Sequence, residues 1–273
     1  MAHVYTEESN FENIANAIRE KNGTDNTYAP SEMAMAIDNI KVGELDFKDV
    51  FDQEQAQELN DYYKNGIAHA EKIKAENPNP NGGWGSKFLS DVNLVFFPEI
   101  DLSNVTSLGN TFNSCYNLQG MPSKLNLSAK LQNLSYSWVY CYSLKFMPTD
   151  DIDCTNVGTL NNTWAYCYCL KNINLINLQN ISSFNNTFLY CNQLVQIKLS
   201  GWKQANISLT FSSQLSVESI DNTIENAIDK VDGATDRTLT LHATAGANWD
   251  ANSKYQGEER NLLLTQKGIE VTW

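Results

Sequence analysis

The middle of the chain repeats one short unit four times: an aromatic residue, a cysteine three residues later and a leucine three residues after that. The aromatic positions follow one another at steps of 26, 26 and 24 residues, and weaker copies begin at Phe88 and Phe211. A period of this length is typical of single turns in a stacked repeat and is too short for two-helix repeats. The aromatic positions are Phe112, Trp138, Trp164 and Phe188, and the cysteines are Cys115, Cys141, Cys167 and Cys191.

Stacking places equivalent residues of neighbouring turns above one another, so these aromatics and cysteines are predicted to form a buried structural ladder. Free cysteine packs as a small hydrophobe. Disulfides or a metal site are the alternatives, but zinc ligands usually lie two to four residues apart. Of the cysteines, Cys167 and Cys169 come closest to that spacing, and no histidine is near them in sequence. We therefore expect no metal and no cofactor.

Residues 86–216 resemble the BspA-type leucine-rich repeats, in which phrases such as DLSNVT at 101–106 and TFNSCYNL at 111–118 recur. The resemblance implies an α+β fold, a leucine-rich-repeat solenoid of about 5 to 6 turns of roughly 23 to 26 residues each. It occupies residues 85–216 in this interpretation. It leaves the function open, because such repeats serve as adhesins, receptor-binding modules and parts of larger surface proteins.

The amino-terminal region is predicted to be helical. Residues 1–43 are predicted to form a helical hairpin, whose first helix opens with a capping box from Ser9 to Glu12. Residues 44–84 are predicted to contain a third helix, from 52 to 76, and a Pro/Gly/Asn linker at 77–83 that separates the helices from the repeats. The third helix has apolar residues at heptad-like spacing, which fits equally a helix packed on its own domain or the stalk of a homo-oligomer.

Residues 14–40, IANAIREKNGTDNTYAPSEMAMAIDNI, resemble a small module of tail and baseplate proteins from phages and prophages of Gram-positive hosts. The resemblance implies a virion protein that is made in the host cytoplasm and contacts other virion proteins through its amino-terminal helices. At the other end, residues 217–273 read as helix, strand, helix and strand, and are predicted to form an α/β cap on the repeat stack.

Charge and composition exclude several classes of partner. The net charge is −13, and no cluster of basic residues offsets it, so nucleic acid and acidic membrane surfaces are not expected partners. No apolar run is long enough to insert into a membrane, and no signal peptide or anchor is apparent. The three histidines, His3, His69 and His242, lie in different segments, so we expect no enzymatic activity. Asp150, Asp151 and Asp153 could bind a cation, although a solvated loop is the commoner explanation.

Two surfaces are candidates for binding. Two tyrosine columns flank the cysteines, and tyrosine combines an apolar ring with a polar tip that suits protein or sugar contacts, although such columns could equally stack for stability alone. The strand face of the repeats is the first choice, with Phe96 and Phe146 expected to be exposed beside lysines as the hot spot. The columns are Tyr116, Tyr142 and Tyr168, and Tyr140, Tyr166 and Tyr190; the strand-face residues are Phe96, Lys145, Phe146, Lys171, Asn172 and Lys198.

These observations favour a non-enzymatic phage tail or baseplate protein that binds a host cell-surface polymer or protein through its repeats. Two alternatives stay open at this point. The chain could be a structural virion protein that contacts only other virion subunits. It could also be a bacterial surface adhesin, although the export signal and anchor expected of one are not apparent.

Overall fold

The structure is a computed structural model that describes residues 53–127, 129–148 and 150–273. The amino-terminal hairpin predicted over 1–43 lies outside these residues. The described part has four α-helices: α1 (Gln53–Glu76), α2 (Val217–Glu225), α3 (Ala243–Asn252) and α4 (Gly257–Lys267). Its strands are β1 (Gly82–Gly83), β2 (Val105–Ser107), β3 (Ile152–Asp153), β4 (Asn172–Ile176), β5 (Gln196–Leu199), β6 (Ile207–Leu209), β7 (Arg237–Leu241) and β8 (Ile269–Thr272).

The predicted fold class, an α+β leucine-rich-repeat solenoid, is wrong. The described strands form three small, entirely parallel sheets of two or three strands, in the orders β1-β2, β3-β4-β5 and β6-β7-β8. The turns before β3 contribute to the strand face only through isolated bridges, which join Phe96 to Gly120, Gly120 to Phe146 and Phe146 to Asn172.

Proline explains why the earlier turns contribute no strand to this face. The residue two positions after each of the first three bridge positions is a proline: Pro98, Pro122 and Pro148. Proline has no N–H to donate to a ladder and restricts the residue before it. The later copies have no proline at this position, and there β4 and β5 pair in register from Asn172 and Gln196 to Leu175 and Leu199.

Neighbouring copies of the repeat nevertheless contact one another closely. The backbone N–H groups of Phe112, Trp138 and Trp164 donate to carbonyls one copy further on, at 2.8, 2.9 and 3.0 Å. The aromatic side chains are buried and stack at centroid distances of 5.7 Å (Phe88 to Phe112), 5.6 Å (Phe112 to Trp138), 5.6 Å (Trp138 to Trp164) and 5.8 Å (Trp164 to Phe188). This aromatic ladder and the cysteine column beside it form the centre of the core.

The cysteine column links the copies through weak hydrogen bonds. Each thiol donates to the carbonyl of the aromatic residue in the preceding copy, with Sγ–O distances of 2.9 Å for Cys115, 3.0 Å for Cys141, 3.1 Å for Cys167 and 3.2 Å for Cys191. All four are free thiols without solvent exposure. Burial raises the pKa of Cys115 to about 12. Cys154 is also a buried free thiol, whereas Cys169 is half-buried.

Thiol titration of the native protein should therefore detect Cys169 and leave the buried cysteines unmodified. The unfolded protein should titrate at all six positions. The physical reason is that the thiolate is the reactive form and burial disfavours it. Rapid labelling of Cys141 or Cys167 in the folded protein, located by mass spectrometry, would show that the column opens to solvent.

The same burial makes stability depend on pH. The pKa of Cys154 is raised by burial from 9.0 to about 12, so its stabilising effect is complete below about pH 9 and is lost as the pH rises towards 12. Each such thiol lowers the free energy of unfolding by about 1.4 kcal/mol per pH unit in that window. Urea unfolding above pH 9 should show a shallower pH dependence for Cys154→Ala than for the wild type, and equal slopes would contradict this assignment.

Helix α1 packs against the first copies of the repeat. Its apolar stripe, Leu59, Tyr63, Ala70 and Ile73, is buried, and the Tyr63 ring stacks on Phe96 at 5.9 Å. His69 Nε2 lies 2.7 Å from Asp91 Oδ2. The heptad-like residues therefore contact the same chain and are not exposed as the seam of a stalk. The segment predicted as a separating linker instead contains β1, which pairs with β2.

Gly66 marks the closest approach of α1 to the repeats. A Cβ at this position would lie 2.8 Å from both Cβ and Cγ2 of Val95, which is itself buried. Gly66→Ala should therefore destabilise the protein by about 1 to 3 kcal/mol through overpacking, although alanine favours a helix over glycine. Urea unfolding should show that Val95→Ala recovers part of this loss in the double variant. If the two substitutions changed the free energy of unfolding additively, the helix would be able to move away from Val95 without loss of stability.

The carboxyl-terminal region differs from its prediction in one element. The second helix expected in this region, between its two strands, is two helices, α3 and α4, with a break after Asn252. Buried Asp221 holds this break, because its Oδ1 accepts from Trp249 Nε1 at 2.8 Å and from Ser253 Oγ at 2.6 Å. Across the described residues, no helix has the length and apolar character needed to span a membrane.

Candidate functional site

The strand face does not present the expected hot spot. Phe96 was predicted to be exposed, but it is 5% exposed because Tyr63 of α1 covers it. Gly120 lies between Phe96 and Phe146 in the bridged row, so the two rings are not neighbours within it. The other predicted residues are half-buried, apart from exposed Lys198: Lys145, Phe146, Lys171 and Asn172.

Lys198 forms an ion pair with the acidic loop at residues 150–153. Its Nζ lies 2.7 Å from Asp151 Oδ2, and Lys124 Nζ lies 3.9 Å from Asp150 Oδ2. Asp153 Oδ1 accepts hydrogen bonds from Thr155 and Asn177, and these bonds hold the pKa of Asp153 below its ordinary value despite partial burial, which opposes them. Among the described residues, no group of three or more histidine, cysteine or carboxylate side chains could hold a metal ion.

The two tyrosine columns do form a continuous surface. The first column is Tyr116, Tyr142 and Tyr168, with ring centroids 5.0 and 5.3 Å apart. The second is Tyr140, Tyr166, Tyr190 and Phe211, at successive distances of 4.8, 5.0 and 4.2 Å. Edge-to-face contacts join the columns, as between Tyr166 and Tyr168 at 6.3 Å. We call the seven residues of the two columns the tyrosine face.

The tyrosine face is open to solvent. Tyr140, Tyr168 and Tyr190 are 37%, 38% and 36% exposed, whereas the aromatic ladder beneath is buried. Within each column the rings lie against each other, so ring edges and hydroxyl groups are what the surface presents. Partial burial and the neighbouring tyrosines raise the pKa of Tyr142 and of Tyr166. The phenols of Tyr142 and Tyr166 therefore remain protonated at neutral pH and can donate hydrogen bonds.

The second column has a backbone conformation that is unfavourable for tyrosine. Tyr140, Tyr166 and Tyr190 have φ values of 62°, 63° and 60°, in the left-handed region. Bulky side chains rarely adopt this region, whereas glycine and asparagine accept it more readily. The equivalent positions in the two preceding copies are Ser90 and Ser114, at 58° and 62°. The backbone path is therefore compatible with a small polar residue at this position.

Sequence reasoning missed two residues near this surface. Tyr136 is 43% exposed and occupies the position held by asparagine at 110, 162 and 186, where the backbone is again left-handed. Phe211 was expected to extend the interior aromatic series, but it stacks on Tyr190 in the second column instead. An Asn-to-Tyr change within the repeat frame was a visible signal for Tyr136. No local signal distinguished Phe211 from Phe188.

A cavity of about 720 Å³ beside the β6-β7-β8 sheet is a weaker candidate. Lys230, Asp236, Arg237 and Glu270 contribute to its lining. Lys230 pairs with Asp236 at 2.7 Å, and the buried Arg237 donates to the carbonyls of four residues from three segments of the chain. These charges hold the carboxyl-terminal region together, and we assign the cavity no ligand.

Comparisons with known proteins do not place the chain in a family. No protein-family model matches the sequence, and no curated protein or solved structure is significantly similar to it.

Proposed function

We propose that this protein is a non-enzymatic component of a phage tail or baseplate that binds a host-surface ligand through the tyrosine face. The observation that carries the proposal is the placement of Tyr140, Tyr166 and Tyr190 at left-handed backbone positions. Left-handed backbone costs a bulky side chain about 1 to 3 kcal/mol, and residues strained in this way cluster at binding and catalytic sites.

The fold alone does not account for these side chains. Serine occupies the equivalent left-handed position at 90 and 114, so the turn forms without tyrosine. The buried aromatic ladder and the cysteine column already join the copies beneath the surface. Exposed tyrosines in a contiguous row instead resemble a recognition surface, because tyrosine contributes large contact area at low entropic cost.

The phage context rests on the resemblance of residues 14–40 to a module of tail and baseplate proteins, and these residues lie outside the described part of the chain. In this proposal the amino-terminal helices attach the protein to other virion subunits, and the tyrosine face points towards the host. The protein then acts as part of the virion. It binds its ligand without modifying it.

Adsorption of the purified protein to a panel of Gram-positive cells tests the proposal. Wild-type protein should bind at least one strain saturably and reversibly, and so should Leu262→Asn, which changes an exposed apolar residue on α4. Immunogold labelling of intact phage should place the protein at a distal position. Labelling between subunits, together with no adsorption even by an oligomeric form, would assign it a structural virion role. Export to the surface of a bacterium that encodes it would assign it as an adhesin.

A further inference from the structure

The tyrosine face carries no charge of its own. The four segments that build most of it, residues 110–118, 136–144, 162–170 and 186–194, contain no Asp, Glu, Lys or Arg. The whole chain has 32 acidic and 19 basic residues, so this absence of charge is a property of the repeats and not of the chain as a whole. Its polar groups are hydroxyls and amides, such as those of Ser143, Asn117 and Asn192.

This composition selects against charged ligands. Proteins recognise phosphate and carboxylate groups mainly through arginine, lysine or helix N-termini, and they bind cationic ligands through carboxylates or open aromatic faces. The tyrosine face has no charged side chain, and within its columns the rings lie against one another. The net charge of −13 adds a long-range repulsion against anionic polymers. A neutral ligand is therefore the class that the surface can bind without an unpaired charge.

The geometry of the columns indicates an extended ligand. Along the second column the rings repeat at 4.8, 5.0 and 4.2 Å, and along the first at 5.0 and 5.3 Å. Each ring presents an edge and, in six of the seven residues, a phenolic hydroxyl, because its faces lie against its neighbours in the column. A regular row of hydrogen-bonding groups suits a polymer that itself repeats.

We infer that the tyrosine face binds a linear, uncharged glycan, with the phenol hydroxyls of Tyr140, Tyr166 and Tyr190 donating to sugar oxygens. This inference rests on the proposed function and names the ligand class of the same surface. Sugars combine hydroxyl groups with apolar C–H faces, and the ring edges and hydroxyls of the two columns match both.

The test measures binding of the full-length protein to cell walls isolated from a panel of Gram-positive strains. Separate samples are treated with periodate, which cleaves vicinal diols of sugars, with protease, or with hydrofluoric acid, which removes phosphodiester polymers. Binding should fall at least about tenfold after periodate. It should survive protease. It should change less than about twofold between low salt and about 0.5 M NaCl, because no charge pairs are screened.

One variant separates the hydroxyls from the rings, and a second variant is its control. Replacing Tyr140, Tyr166 and Tyr190 by phenylalanine keeps the column and should weaken wall binding by about twofold to tenfold per lost hydrogen bond. Leu262→Asn should bind as the wild type does. Unchanged binding by the phenylalanine variant would overturn the assigned role of the hydroxyls.

The remaining outcomes have distinct meanings. Loss after protease, with survival through periodate, assigns a protein partner and overturns the glycan inference while leaving host binding intact. Loss after hydrofluoric acid with strong weakening by salt assigns an anionic polymer and overturns it likewise. Absence of binding to every wall and every strain overturns the proposed function, and the glycan inference with it.

Discussion

Replacing Tyr140, Tyr166 and Tyr190 together by asparagine is expected to abolish adsorption to host cells while leaving unfolding nearly unchanged. Asparagine accepts left-handed backbone better than tyrosine, and Asn110, Asn162 and Asn186 already adopt φ values of 59°, 53° and 54°. The relief of backbone strain offsets the loss of ring stacking, which contributes about 0.5 to 1.5 kcal/mol per pair beyond burial.

Binding should respond far more strongly than stability. Truncation of a hot-spot residue costs about 2 kcal/mol or more, which is about thirtyfold in affinity at each site. Adsorption should be measured beside thermal and urea unfolding of the same samples, with Leu262→Asn as the control. A triple variant that binds normally but melts far below the wild type would show that the tyrosines serve the fold and not recognition.

Trp164→Ala is expected to have the largest effect on stability. The ring has no solvent exposure, and it stacks on Trp138 at 5.6 Å and on Phe188 at 5.8 Å, nearly parallel to both. Truncating a buried tryptophan leaves a cavity that neighbouring rings cannot fill, and the free energy of unfolding should fall by about 3 to 5 kcal/mol. Equilibrium urea unfolding measures this loss.

Trp164→Phe is the matched control. Phenylalanine occupies the same column at Phe112 and Phe188, and the buried indole Nε1 of Trp164 has no hydrogen-bond partner among the described residues. An unsatisfied buried donor costs about 1 to 3 kcal/mol, so its removal should offset much of the lost volume. Equal destabilisation by the phenylalanine and alanine variants would mean that this N–H is satisfied in the folded protein.

The repeats were the most predictable part of the molecule. Equal spacing of aromatic and cysteine residues was sufficient to predict which side chains meet, because copies of similar length place equivalent positions in contact. The structure accordingly shows the ring stack and the thiol column at the expected residues. Alternating tyrosines likewise indicated two outer columns, and these also meet.

The fold class could not be obtained in this way. The leucine spacing predicted a strand in every copy, whereas Pro98, Pro122 and Pro148 reduce the early strands to isolated bridges. The left-handed backbone at Tyr140, Tyr166 and Tyr190 could not be predicted from the sequence either, because tyrosine rarely adopts that conformation. Local patterns describe what a residue prefers, and these positions depart from that preference.

The sequence by itself therefore determined the repeat frame, the residues of the buried ladder and the absence of charge along the tyrosine face. Only the tertiary structure decided which surface remains free. Tyr62 lies 57 positions from Gln119 and still contacts it, and the same helix buries Phe96 beneath Tyr63. The physical reason is that periodicity sets spacing within the stack, whereas coverage of a face depends on where a distant amphipathic helix packs.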